Sequence, residues 1–116
     1  MDKMLLFLKS APYGSAAAVE AFRLAIGGPS LDVETVVVLA DDGVFCVLPE
    51  QDPQDIEMKS LGQAYANLPD FDARLVVLDE SLQERNIDAG DIIAGEVITR
   101  KQLDQLIAET EAVIKF

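Results

Sequence analysis

Histidine is missing from this chain altogether, and cysteine occurs once, at Cys46. Without histidine there is no Ser-His-Asp or Cys-His couple, and the commonest general base and nitrogen metal ligand are gone. A single cysteine forms no intrachain disulfide and no zinc or iron–sulfur cluster, so no metal site and no cofactor are expected. Basic residues are scarce, with 9 Lys and Arg against 21 Asp and Glu, a formal net charge of −12. Such a surface repels phosphate backbones; direct binding of nucleic acid is not expected, and any partner should be a protein with basic or mixed patches. Long apolar runs are absent too, none approaching the roughly 20 residues that span a bilayer. The opening Met1-Asp2-Lys3-Met4-Leu5-Leu6-Phe7-Leu8 is signal-like only superficially, because Lys9 and Pro12 follow where a small-residue cleavage site would stand. A first β-strand is the better reading, and the expected location is cytoplasmic, away from membranes.

What is present suits one packed domain. The 116 residues are 50% apolar, enough for one sizeable core and too few for two, so residues 1–116 are read as a single domain. Met4 to Lys9 is a short strand ending at Ser10-Ala11-Pro12-Tyr13-Gly14. Ser15 to about Gly27 reads as a helix with Ala18, Phe22, Ala25 and Ile26 on one face, Ser15 as N-cap and Gly27-Gly28-Pro29 as its stop. Val33 to Leu39 is β-branched and continuous, the pattern of a parallel strand covered on both faces.

Val44 to Leu48 reads as a helical turn, Asp55 to Ala66 as a helix with Ile56, Leu61 and Tyr65 inward, and Leu75 to Leu78 as a third strand. A short helix over Ser81 to Arg85, a weak fourth element from Ile92 to Ile98 around Gly95, a capped helix opening at Thr99 and a last strand at Ala112 to Phe116 complete the chain. Thr99 followed three residues later by Gln102 is a capping box, and Leu103, Leu106 and Ile107 share a side of the helix it opens. Alternating strands and helices predict an α/β three-layer sandwich, with an approximately five-stranded, mostly parallel sheet of Rossmann or flavodoxin-like topology between helical layers.

In such sheets, sites form beyond the carboxyl ends of the strands. One such loop puts Gly14-Ser15 at the start of an alanine-rich helix, where free N–H groups make a weak anion-binding geometry; a tight strand-to-helix turn explains it equally. No phosphate-loop pattern is present. A second loop holds Asp41-Asp42-Gly43. Paired aspartates at a strand end bind magnesium in two-component receiver domains, but there they follow the first strand, and here the second. A solvated turn is the plainer account. Cys46 lies within Val44-Phe45-Cys46-Val47-Leu48, where a thiol packs as a small hydrophobe; neighbouring positive charge, which reactivity would need, is absent from the adjacent sequence.

Three segments together resemble the DsrE/DsrF-like proteins, and within them the TusC/DsrF branch. Ala11-Pro12-Tyr13-Gly14-Ser15 is similar to that branch's Ala-Pro-Tyr/His-Gly-Ser/Thr turn, and Ala40-Asp41-Asp42-Gly43-Val44-Phe45-Cys46-Val47-Leu48-Pro49-Glu50-Gln51 to its Asp-Gly-Val-Phe-x-Leu-Leu-x-x-Gln stretch. Ser81-Leu82-Gln83-Glu84-Arg85-Asn86 resembles its Ser-Leu-x-x-Arg-Gly helix end, with asparagine replacing a glycine that needs left-handed backbone; Val113-Ile114-Lys115-Phe116 also fits.

The resemblance implies a small subunit of an oligomeric sulfur relay, in sulfur oxidation or in thiolation of tRNA. There it would work beside DsrE/TusD-like and DsrH/TusB-like paralogues and a downstream sulfur-carrier protein. It also implies that the position carrying persulfide in the DsrE/TusD subunit is Leu78 here, followed by Asp79 and Glu80. Leucine carries no sulfur, and adjacent carboxylates disfavour a thiolate. No catalytic residue is therefore expected, and the chain is expected not to catalyse alone. Pro12, Tyr13, Gly14, Ser15, Asp41, Asp42 and Gly43 are the candidate ligand or partner site, with Phe45, Val47 and Leu48 as candidate interface. Two other readings remain: a stand-alone homo-oligomer using Cys46 as a redox or sulfur-accepting thiol, and a small anion-binding module built on the Gly14-Ser15 helix start.

Overall fold

A computed structural model of the chain describes residues 3–11, 16–48 and 62–116. Its strands are β1 (Lys3–Leu8), β2 (Glu34–Leu39), β3 (Ala73–Leu78), β4 (Glu96–Ile98) and β5 (Ala112–Lys115). They pair in the order β4-β3-β2-β1-β5, and every pairing is parallel. The mostly parallel sheet expected from sequence is thus parallel throughout.

Side chains alternate across each strand, so the apolar runs feed both faces. Leu6, Leu8, Val37, Leu39, Leu75 and Val77 enter one core. Leu5, Val36, Val38, Val76, Leu78 and Ile98 enter the other. β2 lies between β1 and β3 and is buried from Thr35 onward, which is why its sequence shows no polar alternation.

The helices are α1 (Ala17–Ser30), α2 (Asp79–Glu84) and α3 (Arg100–Ala108), with one further helical stretch over 62–66. Short 3₁₀ segments occupy Asp41–Val47, Leu68–Phe71 and Ala89–Asp91. The first core packs against Ala18 and Ala25 of α1, Val44 and Val47 of the first 3₁₀ segment, Tyr65, Leu68, and Leu82 of α2. The second core receives Leu103 and Leu106 of α3. Helices thus cover both faces as expected, but very unequally. No described helix is long and apolar enough to cross a membrane.

Two boundaries differ from the sequence reading. α1 does not stop at Gly27-Gly28-Pro29 but runs through them to Ser30. Proline is tolerated there because the end closes on other bonds: Leu31 N–H reaches Gly28 O at 3.0 Å and Asp32 N–H reaches Pro29 O at 3.1 Å. Asp32, with φ of 60°, then reverses the chain. Gly28 serves a close approach instead, since a Cβ there would stand 2.1 Å from Thr35 Oγ1 at the start of β2. The N-cap of α1 is Ala16, which offers no side-chain bond, and Ser15 lies outside the described residues. The expected helix over 55–66 is seen at 62–66 with Tyr65 inward, while Ile56 and Leu61 lie outside the described residues.

The capping box at the start of α3 forms as read. Gln102 N–H donates to Thr99 Oγ1 at 3.2 Å, and Thr99 N–H donates to Gln102 Oε1 at 2.8 Å.

Candidate functional site

Of the residues singled out from sequence, Pro12, Tyr13, Gly14 and Ser15 lie outside the described residues. Asp41, Asp42 and Gly43 open the 3₁₀ segment after β2, and each has a structural task. Asp41 takes a left-handed φ of 49°, and its backbone N–H donates to Ser81 Oγ at 2.8 Å. Asp42 accepts from Arg85 Nε and Nη2, both at 3.1 Å. Arg85 also donates from Nη1 to the Ser81 carbonyl at 3.2 Å. Gly43 sits so close to β1 that a Cβ would meet the Leu8 carbonyl oxygen at 2.2 Å. The loop after β2 is therefore clamped to α2, joining two sequence segments about forty residues apart.

The clamp explains why Ser81 and Arg85 belong with Asp41 and Asp42. α2 ends at Glu84 with Arg85 as its C-cap; Asn86 just beyond takes the left-handed φ of 54° expected of it, and Ile87 N–H folds back to Leu82 O at 2.9 Å. Both aspartate carboxylates have cationic partners, Lys9 for Asp41 at 3.7 Å and Arg85 for Asp42 at 3.1 Å. Among the described residues no group of His, Cys, Asp and Glu is arranged to hold a metal ion.

Cys46 is 3% exposed, in the first core. Desolvation by burial pushes its thiol up to about 12, so it is protonated at neutral pH and a poor nucleophile. Tyr65 is fully buried, and its hydroxyl donates to Ala18 O at 2.6 Å. Its acidity is suppressed chiefly by burial, with Cys46 adding to the effect. One expectation needs correction: Val47 is fully buried in the first core and offers no surface to a partner. Its backbone carbonyl accepts from Ile93 N–H at 2.7 Å, which ties the 3₁₀ segment to the loop before β4. Phe45 and Leu48 are half-buried, so of the three candidate interface residues they keep surface.

Leu78 ends β3 and forms the N-cap of α2; it is 6% exposed and belongs to the second core. Asp79 and Glu80 follow in the first turn of α2. Asp79 accepts from Gln83 Nε2 at 2.7 Å, and Glu80 accepts the Arg100 backbone N–H at 2.7 Å, linking α2 to the start of α3.

A feature not foreseen from sequence lies beside Leu78. A cavity of about 530 Å³ is lined by Phe7, Lys9, Ala40, Asp41, Leu78, Arg100, Ile107, Val113 and Lys115. It stands where the sheet reverses direction: β2, β3 and β4 extend on one side of β1, and β5 returns to the other. Crevices at such reversal points, beyond carboxyl strand ends, are the common ligand sites of open α/β sheets. The sequence signal was two lysines at strand ends, Lys9 after β1 and Lys115 in β5. Their proximity follows from the pairing of β1 with β5, which sets Phe7 opposite Lys115.

Comparison with known proteins agrees with this architecture. The sequence model of the DsrE/DsrF-like family matches residues 2–116. The chain is 28% identical to the intracellular sulfur oxidation protein DsrF of Allochromatium vinosum, over 100% of this chain and 97% of that protein. It is 29% identical to a TusC homologue of Pseudomonas aeruginosa, over 97% of each chain, and 30% identical to one of Pasteurella multocida, over 98% and 99%. Among solved structures, the ychN protein of E. coli superposes with a TM-score of 0.79 at 22% identity over the whole of both chains, a likeness of fold.

Proposed function

Because the chain belongs to the DsrE/DsrF-like family, we propose that it is a non-carrier subunit of a DsrEFH/TusBCD-like sulfur-relay complex, working in the cytoplasm as one domain over residues 1–116. Its role is to support persulfide transfer by a cysteine-bearing DsrE/TusD-like paralogue, together with a DsrH/TusB-like paralogue and a downstream carrier protein. The observation that carries this reading is Leu78. In the family resemblance this is the sulfur-loading position, at the end of β3, and here it holds an apolar side chain followed by two carboxylates. No nucleophile is available there. The names of similar proteins, DsrF and TusC, accord with it.

The alternative carrier, Cys46, is buried with its thiol held in the protonated form, which counts against a stand-alone redox or sulfur-accepting role. In the subunit reading, the clamped Asp41-Asp42-Gly43 loop and the preceding Pro12-Tyr13-Gly14-Ser15 turn form the edge offered to partners. Phe45 and Leu48 supply the apolar part of the interface.

The test is affinity purification of the tagged full chain from its native cell, followed by mass determination of the assembly. After sulfur loading by a cysteine desulfurase with cysteine, each chain is weighed. The expected result is a hetero-oligomer with persulfide on the paralogue and none on this chain. Recovery of a lone monomer, or of persulfide on Cys46, overturns the proposal.

A further inference from the structure

The cavity at the sheet reversal has a charge opposite to that of the molecule. The chain carries −12 overall and only 9 basic side chains, yet three of these, Lys9, Arg100 and Lys115, converge on this one cavity beside a single carboxylate, Asp41. Asp41 is paired with Lys9 at 3.7 Å and Asp104 with Arg100 at 3.3 Å, so three cations against these two anions leave a formal +1. Arg100 engages Asp104 through Nε at 3.3 Å, and no described side chain holds its terminal amino groups. Lys115 has no ion-pair partner among the described residues. Glu80 is close by but is used by the Arg100 backbone N–H.

The rest of the wall is apolar: Phe7, Leu78, Ile107 and Val113, with the Lys9 ammonium 5.7 Å from the centre of the Phe7 ring. A volume of about 530 Å³ falls within the range of small-molecule sites, roughly 300–1,000 Å³. Cations fixed beside low-dielectric walls concentrate anions more effectively than the same charges spread over a surface.

We propose that this cavity binds a small amphiphilic organic anion. Its carboxylate, sulfonate or phosphate group is held by Lys9, Arg100 and Lys115, and its apolar body lies against Phe7, Leu78, Ile107 and Val113. The site is on the sheet face covered by α3, away from the α1 face. It stands whether or not the chain is a relay subunit.

The test uses 8-anilinonaphthalene-1-sulfonate as the anionic probe and N-phenyl-1-naphthylamine as its neutral counterpart. Both are titrated into the full chain by fluorescence, and their positions are mapped by NMR shift changes. The expected result is one saturable site for the sulfonate, with shifts at Phe7, Leu78, Ile107 and Val113. Lys115→Gln and Arg100→Gln should each weaken it roughly tenfold, the scale of a charge-assisted contact. Affinity for the neutral probe should change little in either variant. On the unaltered chain, added salt should weaken the sulfonate and spare the neutral probe, a readout that needs no variant to fold. Equal sulfonate affinity in wild type and variants, affinity insensitive to salt, or shifts confined to another surface overturns the proposal.

Discussion

The two faces of the sheet are built from similar strands and finished in opposite ways. On the α1 face, the helix, the 3₁₀ segment Asp41–Val47, Tyr65, Leu68 and α2 close over Leu6, Leu8, Val37, Leu39, Leu75 and Val77. On the other, α3 alone contributes described helical residues to the core, leaving the carboxyl ends of β1 and β5 beside an open cavity. Even the polar groups differ. On the closed face the Tyr65 hydroxyl is buried and satisfied by Ala18 O; on the open face Lys9, Arg100 and Lys115 are exposed. A sheet whose faces are loaded this way separates tasks: one face holds the fold, and the other keeps room for a ligand.

Truncating the closed face should have the largest effect. Tyr65→Ala removes a fully buried ring, its contact with Phe22 at 5.8 Å between ring centres, and the bond to Ala18 O. A loss of roughly 3–5 kcal/mol is expected from denaturant unfolding, as for other large-to-small core changes. A loss below about 1 kcal/mol would mean this face is not the closed one.

Titration comes next in size. The Cys46 thiol has its pKa raised from 9.0 to about 12 by burial. The folded state therefore keeps a proton that the unfolded state releases between those values. Its contribution to stability is complete below pH 9.0 and is lost toward pH 12, by about 1.4 kcal/mol per pH unit. Unfolding free energies measured across that window should fall, and Cys46→Ala should flatten this part of the slope. A thiol that reacts with iodoacetamide at neutral pH as fast as a free cysteine would contradict the burial.

The smallest change belongs to the open face. Ile107 is half-buried on the cavity wall, so Ile107→Ala should cost only about 1 kcal/mol of stability. The same denaturant series measures it. A loss as large as that of Tyr65→Ala would erase the contrast between the faces.

Much of the fold was legible because local chemistry and tertiary use agree. The apolar run Val36-Val37-Val38-Leu39 became the buried strand it suggested, and Thr99 and Gln102 formed their box. Asn86 took left-handed backbone at a helix end, as its side chain permits. Legibility failed where a residue's use depends on a distant neighbour. Gly28 looked like a helix stop and is a spacer against Thr35. Val47 looked like surface because its segment is apolar and short, but the 3₁₀ turn directs it into the core. Asp41 and Asp42 looked like a free pair of carboxylates, and Ser81 and Arg85 lie too far along the chain to signal the clamp.

Sequence alone determined the alternation of strands and helices, the apolar content of both sheet faces, and the absence of a nucleophile at Leu78. These depend on side-chain type and on spacing of a few residues, which short-range physics reads directly. Only the tertiary structure decided that β5 returns beside β1 and that Lys9, Arg100 and Lys115 meet around one cavity. Strand order is set by how crossovers pack over the whole sheet, and no local pattern around any one of those cations encodes it.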